Sequence, residues 1–281
     1  MTAAFRCGSW RSALLLALLL AGTPGCAALA VKPPTPAADV RAVELERDPA
    51  PPNERYYLLI FGSQSEPKQA KYTHTWATAV KVTDQGPGVS PIVEAHTISW
   101  MPATLDIHPL RFRVECGTDL DLCTSISEML KNDERISLWG PFELRRGLYR
   151  KFLMQKEFMD SGQIGYQCID TVGEAARKGN GSDCIHAITD LDAQFDRGGY
   201  PLRKFGDRAS EHIVDQVNWR HGFIDPCTTH DWLLGPLGIA NCPIRKVCYD
   251  PSKPPPLRLR RRIDAYNAAS DAAAGGAAEC R

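Results

Sequence analysis

Thr73-His-Thr-Trp-Ala-Thr-Ala-Val-Lys-Val-Thr83 alternates along its whole length, placing His74, Trp76, Thr78, Val80 and Val82 on one face. A period of two in β-branched and aromatic residues predicts a strand with one covered side. The turn-rich stretch Asp84-Gln-Gly-Pro-Gly-Val-Ser-Pro91 follows it. Ile92 to Met101 then alternates again, with Ile92, Glu94, His96, Ile98 and Trp100 on one face. Two such strands about a short Gly/Pro loop predict an antiparallel pair. Upstream, Tyr56 to Phe61 is an unbroken apolar run and reads as a buried strand.

Working outward, Leu110 to Val114 offers a further strand, Leu120 to Lys131 a helix and Ile136 to Trp139 a short strand. Pro141 suits a first helical position and Gly162 a helix stop. Between them Leu144, Leu148, Phe152, Gln155 and Met159 recur at helical spacing. Ile164 to Ile169 reads as a strand, and a helix runs from Ser182-Asp183 to about Asp192. Helices mixed with several adjacent strands predict an α+β fold, an antiparallel sheet packed by helices, rather than a regular βαβ array. The expected folded domain is 54–250.

The two ends read differently. Arg6 and Arg11 precede a nine-residue apolar run, Ala13 to Ala21, followed by small residues. This is the layout of a secretory signal peptide, 1–30, and the run is too short for a span of roughly 20 residues. Two processing sites compete: Ala28-Leu29-Ala30, and Thr23-Pro24-Gly25-Cys26, which resembles a bacterial lipobox and makes Cys26 a candidate for lipidation. Residues 31–53 hold six prolines and read as a linker. Residues 251–281 run from Pro254-Pro-Pro256 through Arg258, Arg260, Arg261 and Arg262 to an Ala/Gly-rich end, and read as a disordered tail. Export to the periplasm or outer envelope, as a secreted or lipid-anchored protein, is the expectation, with the membrane as partner if Cys26 is processed.

The 33 basic and 33 acidic side chains balance. Without Arg6 and Arg11, 31 basic residues face 33 acidic ones. A near-neutral body lacks the dense positive surface that nucleic acid requires. Ten cysteines are present, and removing Cys7 and Cys26 leaves eight, a number compatible with disulfides in an oxidising compartment. Cys116 and Cys123 flank a short polar loop, while Cys227, Cys242 and Cys248 form a second local group; bridges are expected among these five. Cys227-Thr-Thr-His230 with Cys242 and Cys248 also offers four metal donors, at a spacing that matches no recognised zinc pattern. No metal or cofactor is expected.

Asn180-Gly-Ser-Asp-Cys-Ile-His-Ala-Ile188 carries the chemistry. Ser182 or Asp183 can cap a helix, which puts Cys184 in the first turn. Free N–H groups and the positive end of the helix dipole favour a thiolate there. Cys184, Ile188, Leu191 and Phe195 form one stripe, so the thiol points to whatever the helix packs on. His186 lies about 200° round the helix from it. A thiol nucleophile needs an imidazole. If the two alternating strands turn about residues 85–86, His74 and His96 are opposed within about 5–8 Å. Cys184, His74 and His96 are therefore the candidate catalytic set, with Glu94 a further orienting group.

The order of these pieces, a His-bearing strand, a neighbouring strand with a second polar residue and a Cys at a helix start, resembles the circularly permuted papain-like group. That group includes NlpC-type hydrolases of permuted order and relatives of lecithin–retinol acyltransferase. The likeness rests on Thr73-His-Thr-Trp-Ala-Thr-Ala-Val-Lys-Val82 and Asp183-Cys-Ile-His186 and covers about 55–195. It implies Cys184 as nucleophile, His74 as base and His96 as orienting residue, in a cysteine peptidase or amidase cleaving amide or ester bonds, with cell-envelope peptides as the substrate class. Asp183 departs from the Asn of that pattern, and a neighbouring carboxylate raises a thiol pKa. Phe61-Gly-Ser-Gln64, His96-Thr-Ile-Ser-Trp-Met-Pro102 and Trp139-Gly-Pro-Phe-Glu143 are similar to an exported bacterial family and imply no activity. The competing expectation is a non-catalytic, disulfide-bonded envelope protein with a structural or interaction role.

Overall fold

The three segments that open the chain's folded part lie side by side in a five-stranded sheet, from one edge to its middle strand. β1 (Glu54–Gln64) pairs antiparallel with β2 (Thr73–Thr83), and β2 with β3 (Ile92–Ile98). The computed structural model describes residues 50–192, 195 and 204–275. Expectations for the signal peptide, Cys26, most of the linker and Cys280 fall outside these. β6 (Arg135–Leu144) lies on the other side of β1, and β9 (Ile244–Lys246) runs parallel at its edge, giving the order β3-β2-β1-β6-β9. With six helices among the described residues and a mostly antiparallel sheet, the fold is α+β.

Tyr56 to Phe61 is apolar throughout because both faces of the sheet are buried. Tyr56, Leu58 and Ile60 enter one core, and Tyr57, Leu59 and Phe61 the other. The first core is closed by α2 (Arg146–Asp160) and α5 (Asp207–Trp219), through Tyr149, Phe152, Ile213 and Val217. The second is closed by α1 (Leu122–Lys131), through Ile126 and Met129, and by Leu233 of the 3-10 turn Asp231–Leu234. α1 starts where Asp121 accepts the Thr124 N–H at 2.8 Å, a side-chain cap. Gly62 lets α5 approach β1: a Cβ there would sit 2.6 Å from Ser210 Oγ, which donates to the Phe61 carbonyl.

Several expected boundaries move. β3 stops at Ile98, and Trp100–Pro102 forms β4, which pairs with β5 (Gly117–Asp119) in a separate two-stranded sheet. Leu110 to Val114 is not a strand. Pro141 lies within β6 instead of opening a helix. There Gly140 and Pro141 form an extra step opposite Leu59, a bulge in the β1–β6 register. A bulge is one of the few sheet positions that tolerates a residue without an N–H. α2 accordingly begins at Arg146, and it still ends just before Gly162, whose φ of 72° is the left-handed conformation of a helix stop.

Only Gly165–Tyr166 of the strand expected over 164–169 is extended; this β7 pairs in parallel with β8 (Gly181–Ser182), and α3 (Gly173–Lys178) joins them. The helix expected to Asp192 is the single turn α4 (His186–Thr189). The C-terminal region is not a structureless tail: α6 (Leu257–Gly275) buries Leu259 and Ile263 against Trp219. Leu259 and Ile263 are four residues apart, on one helix face between the arginines, so the same segment that reads as a basic run supplies an apolar stripe. No helix among the described residues is long and apolar enough to cross a membrane.

Candidate functional site

β3 ends opposite Ala77, so Thr73 to Trp76 of β2 have no β3 neighbour. The chain turns away at Ser99, and segments from residues 166–169 and 183–185 close the gap. A mostly apolar cavity of about 50 Å3 lies there, lined among others by His74, Thr75, Tyr166, Cys168, Asp183 and Cys184. His74 and Cys184 both line this cavity. No hydrogen bond joins them: His74 Nδ1 is buried and without a partner among the described residues.

His96 is elsewhere. It stands opposite Ala79, its ring edge-on to Tyr149 at 6.4 Å between centroids. The β2–β3 pairing centres the turn at residues 87–88 instead of 85–86, which sets His96 opposite Ala79, five positions along β2 from His74. Five is odd, so His96 moves along β2 by about 17 Å and also to the opposite face. Glu94, opposite Lys81 and bridged to it at 2.7 Å, is removed from the cavity by the same shift. The group that holds His74 is Ser99, whose Oγ lies 2.9 Å from Nε2. His74 also stacks on Trp76, which stacks on Phe61. Burial holds the His74 pKa down to about 3, so the ring is a neutral imidazole.

The Asp183 carboxylate accepts the N–H of Ile185 at 2.9 Å and of His186 at 2.8 Å, but α4 begins at His186 with Ile185 in the N-cap position, so Cys184 lies in the turn before the helix and not in its first turn as expected. Those donors are consequently taken by Asp183 instead of being presented to a thiolate. Burial, and secondly the Asp183 charge, raise the Cys184 thiol well above its ordinary pKa, while the Thr75 backbone N–H acts the other way. Cys184 is a half-buried, neutral thiol. Cys168 is also half-buried, and burial with Asp183 pushes its thiol up to about 12, while a hydrogen bond from Tyr166 opposes this.

Beneath Cys184, His186 is fully buried and bonded through Nδ1 to Asp170 Oδ1 at 2.5 Å, with Asp183 Oδ2 at 3.3 Å. Two buried carboxylates and one buried imidazole lock the turn that carries the thiol. Burial raises the Asp183 pKa, and His186 limits the rise. One donor atom from each of Asp170, Asp183 and His186 falls within 4.8 Å of the others, an O/N set of the type that holds a divalent cation. No three of Cys227, His230, Cys242 and Cys248 come together in this way. All seven described cysteines are free thiols, Cys116, Cys123, Cys227, Cys242 and Cys248 included, so the expected bridges among those five are absent.

Sequence reasoning missed Ser99, Tyr166, Cys168 and Asp170. One signal was available: Gln167-Cys-Ile-Asp170 and Asp183-Cys-Ile-His186 repeat the order Cys-Ile-polar sixteen residues apart. The two strings directly follow the paired strands β7 and β8, and their last residues bond to each other. No protein-family model, curated protein or solved structure matches the chain. The reading of the site therefore comes from its own geometry.

Proposed function

We propose that the protein is an exported cysteine hydrolase acting on an amide or ester bond, with Cys184 as nucleophile and His74 as base. The observation that carries this reading is the shared cavity. A thiol and a neutral imidazole with a spare ring nitrogen line one small, mostly apolar chamber. A neutral imidazole is the protonation state a general base needs, and a hydrogen bond absent from the free enzyme can form when substrate binds. The thiol would attack the carbonyl carbon as Nδ1 takes its proton, giving a thioester after the leaving group accepts that proton. Water then hydrolyses the thioester and regenerates the thiol. Ser99 takes the orienting role that the sequence had suggested for His96. Peptides of the cell envelope are the substrate class that an exported location favours, and anchoring through Cys26 would hold the enzyme at the membrane.

The test is turnover of envelope-derived peptides and of activated acyl esters by the purified protein, beside Cys184→Ala and His74→Ala. Activity that falls to background in both variants supports the reading. Activity retained by Cys184→Ala, or an inert wild-type protein, overturns it in favour of a non-catalytic envelope role.

A further inference from the structure

We propose that Cys168 and Cys184 are a dithiol pair that closes to a disulfide across the cavity by exchange with a disulfide oxidant. β7 and β8 pair in parallel with a constant offset of sixteen residues, Gly165 with Gly181 and Tyr166 with Ser182. The Gln167 N–H donates to the Ser182 carbonyl at 3.2 Å, which carries the offset on to Gln167 and Asp183. The Asp170–His186 bond keeps the same offset on the far side. Cys168 and Cys184 lie between these fixed pairs at the same offset of sixteen residues, each in the turn that begins two residues past its strand. The spacing of about 4.8 Å between the parallel strands that they continue sets the scale of their separation. A disulfide spans Cα separations of about 4.4–6.8 Å. Both residues line the one cavity, and both are half-buried.

The exchange balances with a low-molecular-weight disulfide as oxidant. One cysteine thiolate attacks a sulfur of the oxidant, forming a mixed disulfide and releasing the first small thiolate. The second cysteine then attacks the protein sulfur of that mixed bond, forming the Sγ–Sγ bond and expelling the second small thiolate. The two cysteine protons end on the two released thiols, so the pair is oxidised by two electrons and the small disulfide is reduced by two. This inference does not rest on hydrolysis, though closure would remove Cys184 as a nucleophile.

The reduced full-length protein is incubated with oxidised glutathione at alkaline pH, blocked with iodoacetamide, and mapped by mass spectrometry without reduction. A cross-linked peptide joining residues 168 and 184 is expected, lighter by two hydrogens than the separate thiols and lost on reduction. Labelling of Cys184 should fall to background in parallel. Cys116→Ser should keep the cross-link, and Cys168→Ser should abolish it while leaving Cys184 alkylated. Recovery of both cysteines as alkylated thiols, as stable glutathione adducts, or bridged to other cysteines overturns the proposal. The mapping uses no activity, so its failure is separate from failure of the hydrolase reading.

Discussion

Ser99 holds His74 by a 2.9 Å contact between its Oγ and Nε2 of the ring, both groups being buried. Ser99 is itself fixed, its N–H donating to Asp119, whose other oxygen takes Lys156. Ser99→Ala removes the partner of a buried ring nitrogen, which costs about 1–3 kcal/mol. Chemical denaturation at neutral pH should show that loss. If Ser99 orients the base, kcat falls with KM little changed, and a variant with unaltered kcat would rule the role out.

His74 should make stability depend on pH. Its pKa in the folded protein is about 3, against about 6.5 for an unperturbed histidine. Between these values the unfolded chain binds the additional proton. This contribution is therefore complete above about pH 6.5 and is lost as pH falls towards 3. At about 1.4 kcal/mol per pH unit it reaches several kcal/mol. Urea titrations from neutral to mildly acidic pH should show a steeper decline for the wild-type protein than for His74→Gln. Equal slopes would show that the ring is solvated.

Asp183→Asn keeps an oxygen able to cap Ile185 and His186 while removing the charge beside the sulfur. The Asp183 charge is the second cause of the raised Cys184 pKa, after burial. The pH–rate profile for iodoacetamide labelling at Cys184 should move to lower pH, with labelling near pH 8 several-fold faster. A profile that stays in place would mean burial alone sets the thiol.

Gly165, which precedes the cavity-lining Tyr166, has no room for a side chain. A Cβ there would lie 2.4 Å from Val114 Cγ1 and 2.6 Å from the Glu115 carbonyl oxygen. That oxygen accepts the Tyr166 N–H at 2.8 Å and cannot simply rotate away. Gly165→Ala should cost about 1–3 kcal/mol, the range for overpacking. Gly235→Ala, whose nearest neighbour would be 3.8 Å away, serves as the tolerated comparison in thermal melts.

The strands were legible because alternation and apolar runs are local patterns. β2 was read with both ends correct, and Tyr56 to Phe61 as a strand core. The β2–β3 register was not, because Asp84 to Pro91 contains several Gly and Pro residues, each able to centre a turn. That ambiguity of a few residues decided whether His96 reached the site. Pro141 misled for a related reason: it is compatible both with a helix start and with a bulge, and only pairing with β1 selects one. Cys184 and His74 were legible as residue types in context. Ser99, Cys168 and Asp170 have no periodic signal, since turns and a two-residue strand place them.

β1 sends three large apolar residues to each side, so hydrophobic-against-polar patterning does not protect its alignment. Sliding it by one residue would exchange Tyr56, Leu58 and Ile60 for Tyr57, Leu59 and Phe61, a swap between sets of equal greasiness. Discrimination against that slipped state falls to shape: the bulge facing Leu59 and the bare backbone at Gly62 fit one alignment only. Those two irregularities act as the index marks by which the strand finds its place.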